Sequence, residues 1–170
     1  MKKLKILLII LISCITCFYI FYNFFYSYKI ENIISNTPDT TKLDVNFKSN
    51  NIDDILKYSI KYTTNQLTFN LHSKNSYDIN FIKTNKSANC VGYVTYYNNV
   101  LYNLLQQNNI NYETIQHARA EILIGNYNIH NLLTKPSLKN HDISIITINN
   151  KTYYIDPSLS ELGLSVIVTN

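Results

Sequence analysis

Apolar residues recur at helical spacing in two stretches of the chain. The first stretch begins near Asn51 or Asp53, either of which can cap a helix, and its pattern fades near Thr64. The second covers residues 90–107 and places valine, tyrosine and leucine along one stripe. Side chains three and four positions apart share a helix face, so the spacing predicts two amphipathic helices that each bury one side.

Strand patterns follow the second helix. Residues 112–124 form a mixed run, residues 142–148 and 151–155 form two apolar runs joined by Asn149-Asn150, and residues 164–168 form a further one. Two asparagines between apolar runs fit a two-residue hairpin turn. Helices followed by adjacent strands predict an α+β domain over residues 52–170, in which the second helix packs on an antiparallel sheet.

The beginning of the chain is almost wholly apolar and aromatic. Residues 4–26 form this run, and Lys2, Lys3 and Lys5 lie at its start. A helix needs about 20 apolar residues to cross a bilayer, and lysines favour the cytoplasmic side. We therefore predict a transmembrane anchor or signal segment at residues 1–29 and a polar linker at residues 30–51. The domain would face outside the cytoplasm and would be held to the membrane through residues 4–26.

Two other interpretations of the first segment remain open. Leu11-Ile12-Ser13-Cys14 resembles a bacterial lipoprotein signal, in which Cys14 is lipidated and becomes the new N-terminus. A cleaved secretory signal is the third interpretation. The apolar run continues well past Cys14, which favours a single-pass anchor with its N-terminus in the cytoplasm.

Composition narrows the classes of function. The chain has 170 residues, of which 46% are hydrophobic and 15% charged, as is typical of a folded domain. Its formal net charge of +4 owes much to Lys2, Lys3 and Lys5. Since the rest of the chain carries no basic stripe, we predict no nucleic-acid partner. With 3 glycines in total, the sequence gives no argument for a glycine-rich phosphate loop.

Cys90, His141 and Asp156 carry the candidate chemistry. Cys90 opens the second predicted helix, where the positive end of the helix dipole favours a thiolate. His141 opens one strand of the predicted hairpin and Asp156 ends the other, so that the carboxylate can orient the imidazole. The order and settings predict a catalytic triad with Cys90 as nucleophile, His141 as base and Asp156 as the orienting residue.

These motifs together resemble the transglutaminase-like superfamily, a branch of the papain-like fold. The residues that carry the resemblance are the helix that starts at Cys90, the segment Leu104-Leu105-Gln106-Gln107-Asn108-Asn109-Ile110, Arg119, Gly125, His141, and the ending Tyr153-Tyr154-Ile155-Asp156-Pro157. The resemblance covers about residues 53–159. It implies a papain-like core in which the nucleophile helix packs on the sheet.

The resemblance also implies a thiol enzyme that acts on peptide or carboxamide bonds of a protein or peptide substrate. Hydrolysis by a protease or amidase is favoured over cross-linking by an acyltransferase, and neither a cofactor nor a metal is predicted. The backbone N–H of Cys90 is one oxyanion donor. A second donor would come from the preceding loop, where Asn85, Ser87 and Asn89 remain open.

Two alternatives to this enzyme remain open. Ala88 stands where the family usually has glycine, His141-Asp142-Ile143 stands where it often has His-Ala-Trp, and the chain has no tryptophan. These departures favour a catalytically inactive binding or scaffold module at the cell surface. Asn89-Cys90-Val91-Gly92 is faintly similar to the motif of cysteine-histidine cell-wall peptidases.

Other titratable residues are given no catalytic role. His72, His117 and His130 are predicted to lie on the surface. They lack ligand spacing with one another or with Cys90, so no metal site is predicted. Asp142 is predicted to point to the strand face opposite to His141, because neighbouring side chains alternate along a strand.

Overall fold

The structure is a computed structural model that describes residues 8–17, 26–132, 141–162 and 167–169. Its helices are α1 (Ile52–Gln66), α2 (Ile79–Asn85) and α3 (Cys90–Gln107), and residues 8–17 are also helical. Short 3-10 turns occupy Ile129–Leu132 and Leu159–Leu162. The two helices expected from the spacing are thus confirmed as α1 and α3, whereas α2 was missed.

Asparagine side chains set the starts of both long helices. Asn51 accepts a hydrogen bond from the backbone N–H of Asp53 at 3.0 Å, and Asn89 accepts one from the N–H of Gly92 at 3.4 Å. Such caps satisfy backbone donors that the first helical turn leaves without partners. The cap at Asn89 fixes Cys90 as the first residue of α3.

The larger sheet is antiparallel. Its strands are β1 (Tyr26–Ser35), β4 (Thr114–Ile124), β5 (Tyr127–Asn128), β6 (His141–Ile148), β7 (Lys151–Ile155) and β8 (Ile167–Thr169). They lie in the order β1-β4-β6-β7-β8, with β5 paired to β4. A separate parallel pair joins β2 (Thr68–Phe69) to β3 (Ser87–Ala88) just before α3.

The predicted hairpin is confirmed as β6 and β7. Asn149 and Asn150, which join the two strands, have φ of 53° and 61°. Two successive residues with positive φ are typical of the type I′ turn, whose twist matches that of the strands, and asparagine tolerates this conformation. The turn fixes the register that brings the start of β6 beside the end of β7.

The two faces of the sheet carry different residues. On one, here called the helix face, α3 and α1 pack over a core that includes Ile115, Ile146 and Ile155. On the other, here called the second face, a smaller cluster contains Ala120 and Ile143. Partly buried aliphatic and aromatic side chains cover this cluster: Tyr28, Ile30 and Tyr154.

The predicted fold class needs a correction at the N-terminus. Its α+β part with an antiparallel sheet is confirmed, but among the described residues no helix is long and apolar enough to cross a membrane. Residues 26–29, which were expected to form the end of the anchor, instead belong to β1 and pair with β4. The described residues therefore contradict the transmembrane segment of the predicted fold class, and the alternative of a signal segment at residues 1–29 stays a prediction.

The stretch predicted as a linker, residues 30–51, also differs from expectation. It contains the end of β1, and Leu43 and Val45 are buried in the main core. Asn99 of α3 donates to the carbonyl oxygens of Asp39 and Thr41 at 2.7 and 2.9 Å. Polar composition suggested a loose tether, but alternate apolar residues pack against α3.

Candidate active site

Cys90 stands at the N-terminus of α3, as predicted, with its side chain partly exposed. The preceding Asn89 caps the helix and also donates from Nδ2 to the carbonyl oxygen of Ser73 at 3.0 Å and to the side chain of Asn75. These contacts hold the loop before α2 against the start of α3. The position of the thiol is therefore set by a helix end that is fixed on two sides.

The Cys90 thiol donates a hydrogen bond to Asp142. The distance from Sγ to Oδ2 is 3.6 Å. Burial, and after it the negative charge of Asp142, raises the pKa of Cys90 to about 12, although the helix dipole acts in the opposite direction. In the described state Cys90 is a neutral thiol, and the thiolate expected at a helix N-terminus is not favoured.

His141 and Asp156 form a buried pair. Nε2 of His141 is hydrogen-bonded to Oδ2 of Asp156, which also accepts from the Tyr28 hydroxyl at 3.3 Å. The other oxygen, Oδ1, accepts from the hydroxyl of Ser158 at 2.7 Å and from the backbone N–H groups of Ser158 and Leu159 at 3.1 and 3.2 Å. A carboxylate with this many donors is held in one orientation, and so is the imidazole bound to it.

Burial and charge act against each other on this pair. Burial lowers the pKa of His141, but the charge and hydrogen bond of Asp156 outweigh it, so that the pKa is raised. Burial raises the pKa of Asp156, but the charge of His141 and the donors around the carboxylate outweigh it, so that the pKa is lowered. Each partner stabilises the charged form of the other.

The strand registers place the thiol and the imidazole on different sides of the sheet. His141 pairs with Ala120, which belongs to the second face, and its partner Asp156 contacts Tyr28 of the same face. Asp142, the next residue of β6, points to the helix face, where it meets Cys90. The prediction that Asp142 and His141 point to opposite faces is confirmed.

The His141–Asp156 pair nonetheless acts electrostatically on the thiol. The Asp156 charge contributes to the raised pKa of Cys90. The thiol is thus within electrostatic reach of the His141–Asp156 pair at the end of the sheet. The contact between His141 and Asp156 is present, and the pairing of Cys90 with His141 stays a prediction.

His117 is a member of the site that the sequence did not reveal. It was predicted on the surface, but it is buried and its Nε2 lies 3.0 Å from Oδ1 of Asp142, the carboxylate that accepts the thiol. The Tyr77 ring packs beside the imidazole, with ring centroids 5.6 Å apart. The alternation of Ile115 and His117 along β4 was the available signal, because Ile115 belongs to the core on the helix face.

A cavity of about 380 Å³ opens beside His117. Its wall includes Tyr77 from the loop before α2, Thr95 and Asn98 from α3, and Asp39 from the segment after β1. The wall is therefore built from the same elements that hold Cys90 and Asp142. A small molecule or a side chain in the cavity would lie against His117.

The candidates for a second oxyanion donor are engaged elsewhere. The Asn85 side chain donates to the carbonyl oxygen of Phe81 at 2.8 Å, the Ser87 hydroxyl lies 3.0 Å from that of Ser73, and Asn89 caps α3. The backbone N–H of Cys90 belongs to the first helical turn, which has no acceptor within the helix. That N–H is the donor of the predicted set that best suits an oxyanion.

Among the described residues, His72 and Cys14 make no hydrogen bond to the site. His72 is exposed, and the side chain of His130 lies outside the described part. Cys14, the candidate for lipidation, is exposed on the helix of residues 8–17. Among the described residues, no group of three or more His, Cys, Asp or Glu side chains is placed to hold a metal ion.

No family model, curated protein or solved structure matches this chain. The resemblance to the transglutaminase-like superfamily therefore stays a prediction that rests on the motifs around Cys90, His141 and Asp156.

Proposed function

We propose that this chain is a thiol-dependent hydrolase of the transglutaminase-like type that cleaves peptide or carboxamide bonds through Cys90, His141 and Asp156. The observation that supports the proposal most is the fully buried Asp156, which holds His141, while Cys90 is the first residue of α3. Buried ion pairs contribute little to stability on balance, whereas titratable groups with shifted pKa values cluster at active sites.

Because the Cys90 thiol and the His141 imidazole lie on different sides of the sheet, the proposed reaction requires the thiol to leave Asp142 and to meet His141 around the start of β6. Neutral His141 takes the thiol proton, and the sulfur attacks the substrate carbonyl carbon to form a tetrahedral oxyanion, which the Cys90 N–H stabilises. The imidazolium gives its proton to the departing amine, which leaves a thioester. Water, deprotonated by His141, then hydrolyses the thioester and releases the acid and the free thiol.

Turnover should rise with pH through the raised pKa of His141. The imidazole accepts a proton only in its neutral form, and the charge of Asp156 favours the protonated form, so this rise comes at a higher pH than for an ordinary histidine. His141 is held in one orientation by Asp156, so Asp156→Asn should lower kcat by about 10²- to 10⁴-fold, as in other triads.

The experiment is hydrolysis of p-nitrophenyl acetate, an activated ester that reports on a nucleophilic thiol without knowledge of the natural substrate. We expect turnover in the wild type and its loss in Cys90→Ala, His141→Asn and Asp156→Asn. His72→Asn is the matched control, since His72 is exposed and outside the site. Equal turnover in His141→Asn and in the control would contradict the proposal.

A second candidate function is a catalytically inactive binding module. The specific observation in its favour is the hydrogen bond from the Cys90 thiol to Asp142, together with a pKa of about 12 for that thiol. A module of this kind would use the cavity beside His117 for binding and would show no turnover that depends on Cys90. The ester assay with Cys90→Ala separates the two functions.

A further inference from the structure

Asp142 joins the candidate nucleophile to a buried histidine. One carboxylate oxygen accepts the Cys90 thiol at 3.6 Å, and the other lies 3.0 Å from Nε2 of His117. Asp142 and His117 are both almost completely buried, with 2% and 4% of their surfaces exposed. The three side chains form a chain of contacts on the helix face, separate from the His141–Asp156 pair.

The position of Asp142 is fixed from its far side. His117 occupies its second oxygen, and the Tyr77 ring and the wall of the cavity pack on His117. Within β6, the register places Arg119 of β4 directly opposite Asp142. The carboxylate is thus held against the thiol by its own strand and by the neighbouring strand.

A carboxylate in this place favours the protonated thiol. It accepts the S–H hydrogen, and its negative charge would repel a thiolate at the same distance. Among the described residues, the other titratable groups that interact with Cys90 or Asp142 are Arg119 and His117 from β4, Tyr77 from the loop before α2, and His141 and Asp156 on the second face. The group that is hydrogen-bonded to the sulfur is Asp142.

We propose that Asp142, held in place by His117, is a positioning residue that keeps Cys90 as a neutral thiol in the resting protein. In the proposed function the sulfur exchanges its contact with Asp142 on the helix face for a contact with His141, the first residue of β6. Contact with Asp142 restrains the thiol, and loss of that contact releases it. As a restraint on the nucleophile, the inference rests on the proposed function, but its test measures thiol reactivity and not turnover.

The test is the rate of alkylation of Cys90 by iodoacetamide as a function of pH, followed by peptide mass spectrometry. Cys14 and Cys17 are exposed and serve as reference thiols in the same chain. In Asp142→Asn, the amide keeps the shape and the contact with His117 but removes the charge. We expect alkylation of Cys90 at neutral pH to become at least about tenfold faster, the change for one pKa unit.

Asp39→Asn is the matched control, because Asp39 lies in the cavity wall and its carboxylate accepts from Thr41. The same chemical change there should leave Cys90 alkylation unaltered. An unchanged or slower rate in a folded Asp142→Asn protein would overturn the inference. If that variant does not fold, His117→Asn decides, because it removes the imidazole that holds Asp142 against the thiol. Faster alkylation of Cys90 in a folded His117→Asn protein supports the restraint, and an unchanged or slower rate refutes it.

A double variant separates this inference from the proposed function. If Asp142→Asn accelerates alkylation and adding His141→Ala slows it again, both hold. If Asp142→Asn accelerates alkylation and His141→Ala has no effect, the restraint holds and the triad fails. If Asp142→Asn has no effect while His141→Asn abolishes ester turnover, the restraint fails and the triad stands.

Discussion

Two aspartate residues of this protein are buried, one on each face of the sheet. Asp156 is fully buried on the second face, with five donor groups around its two oxygens, and Asp142 is buried on the helix face between Cys90 and His117. Taking a carboxylate out of water is costly unless partners replace the lost hydration. Each aspartate therefore depends on its histidine, and each histidine on its aspartate.

The His141–Asp156 pair should make stability depend on pH in a defined window. The raised pKa of His141 gives stability that is complete below its unfolded value of 6.5 and is lost as the pH rises through the raised value. The lowered pKa of Asp156 gives stability that is complete above 3.8 and is lost as the pH falls through the lowered value. The pair therefore contributes most to the free energy of unfolding between about pH 3.8 and pH 6.5.

Asp156→Asn should therefore lower the free energy of unfolding by about 3–5 kcal/mol near pH 5.5, since it leaves an imidazolium without its buried partner. The difference from the wild type should shrink as the pH rises above the raised pKa of His141. Urea unfolding at several pH values measures it, with the exposed Asp44→Asn as control. A difference that stays constant from about pH 5 to pH 8 would contradict the linkage.

At the scale of elements, the sequence predicted those parts whose local chemistry is decisive. The limits of α3 follow from Asn89 as cap and from the end of the apolar stripe, and the β6–β7 hairpin follows from Asn149-Asn150. The strand β1 was hidden because its aromatic residues continue an apolar run. Its pairing with β4, far away in sequence, gives it its structure, and no local pattern carries that information.

The same limit explains the candidate site. Cys90, His141 and Asp156 were recognisable because each stands at the end of an element. The contacts of Asp142 and His117 depend on which face of β4 and β6 meets α3, and this is decided by long-range strand register. A single sequence shows alternation, but not which side a helix will cover.

Gly92 tests how tightly the start of α3 is packed. A Cβ at this position would lie 2.7 Å from the Cβ of Ala88 in β3. Alanine in a helix is ordinarily favoured over glycine by about 1 kcal/mol. Here the steric overlap with Ala88 should outweigh the gain in helix propensity, and Gly92→Ala should destabilise the protein by about 1–3 kcal/mol.

Thermal or urea unfolding of Gly92→Ala measures this cost. Gln106→Ala, at an exposed position near the end of α3, is the control and should change stability by less than about 0.5 kcal/mol. A Gly92→Ala protein as stable as the wild type would mean that α3 can move away from β3 without cost.

For the whole molecule, the segment between β1 and α1 belongs to the folded body. Leu43 and Val45 enter the main core, and Asn103 of α3 reaches back to the N–H of Leu43 and the carbonyl oxygen of Thr41. The segment thus ties β1 on the sheet to the far side of α3. We expect it to unfold together with the domain.

Leu43→Ala tests this placement. Removing a buried leucine side chain should lower the free energy of unfolding by about 2–5 kcal/mol. Lys42→Ala, which changes the exposed neighbouring residue, should have little effect. A loss below about 0.5 kcal/mol for Leu43→Ala would place the segment outside the core, as expected for a linker.

The most direct test of the central claim is detection of the acyl-enzyme itself. Wild-type protein is mixed with p-nitrophenyl acetate, quenched in acid, digested and mapped by mass spectrometry. The account predicts an acetyl thioester on Cys90 that forms and decays more slowly in His141→Ala. Acetylation confined to the exposed Cys14 and Cys17, or a Cys90 thioester with the same kinetics in His141→Ala, would contradict it.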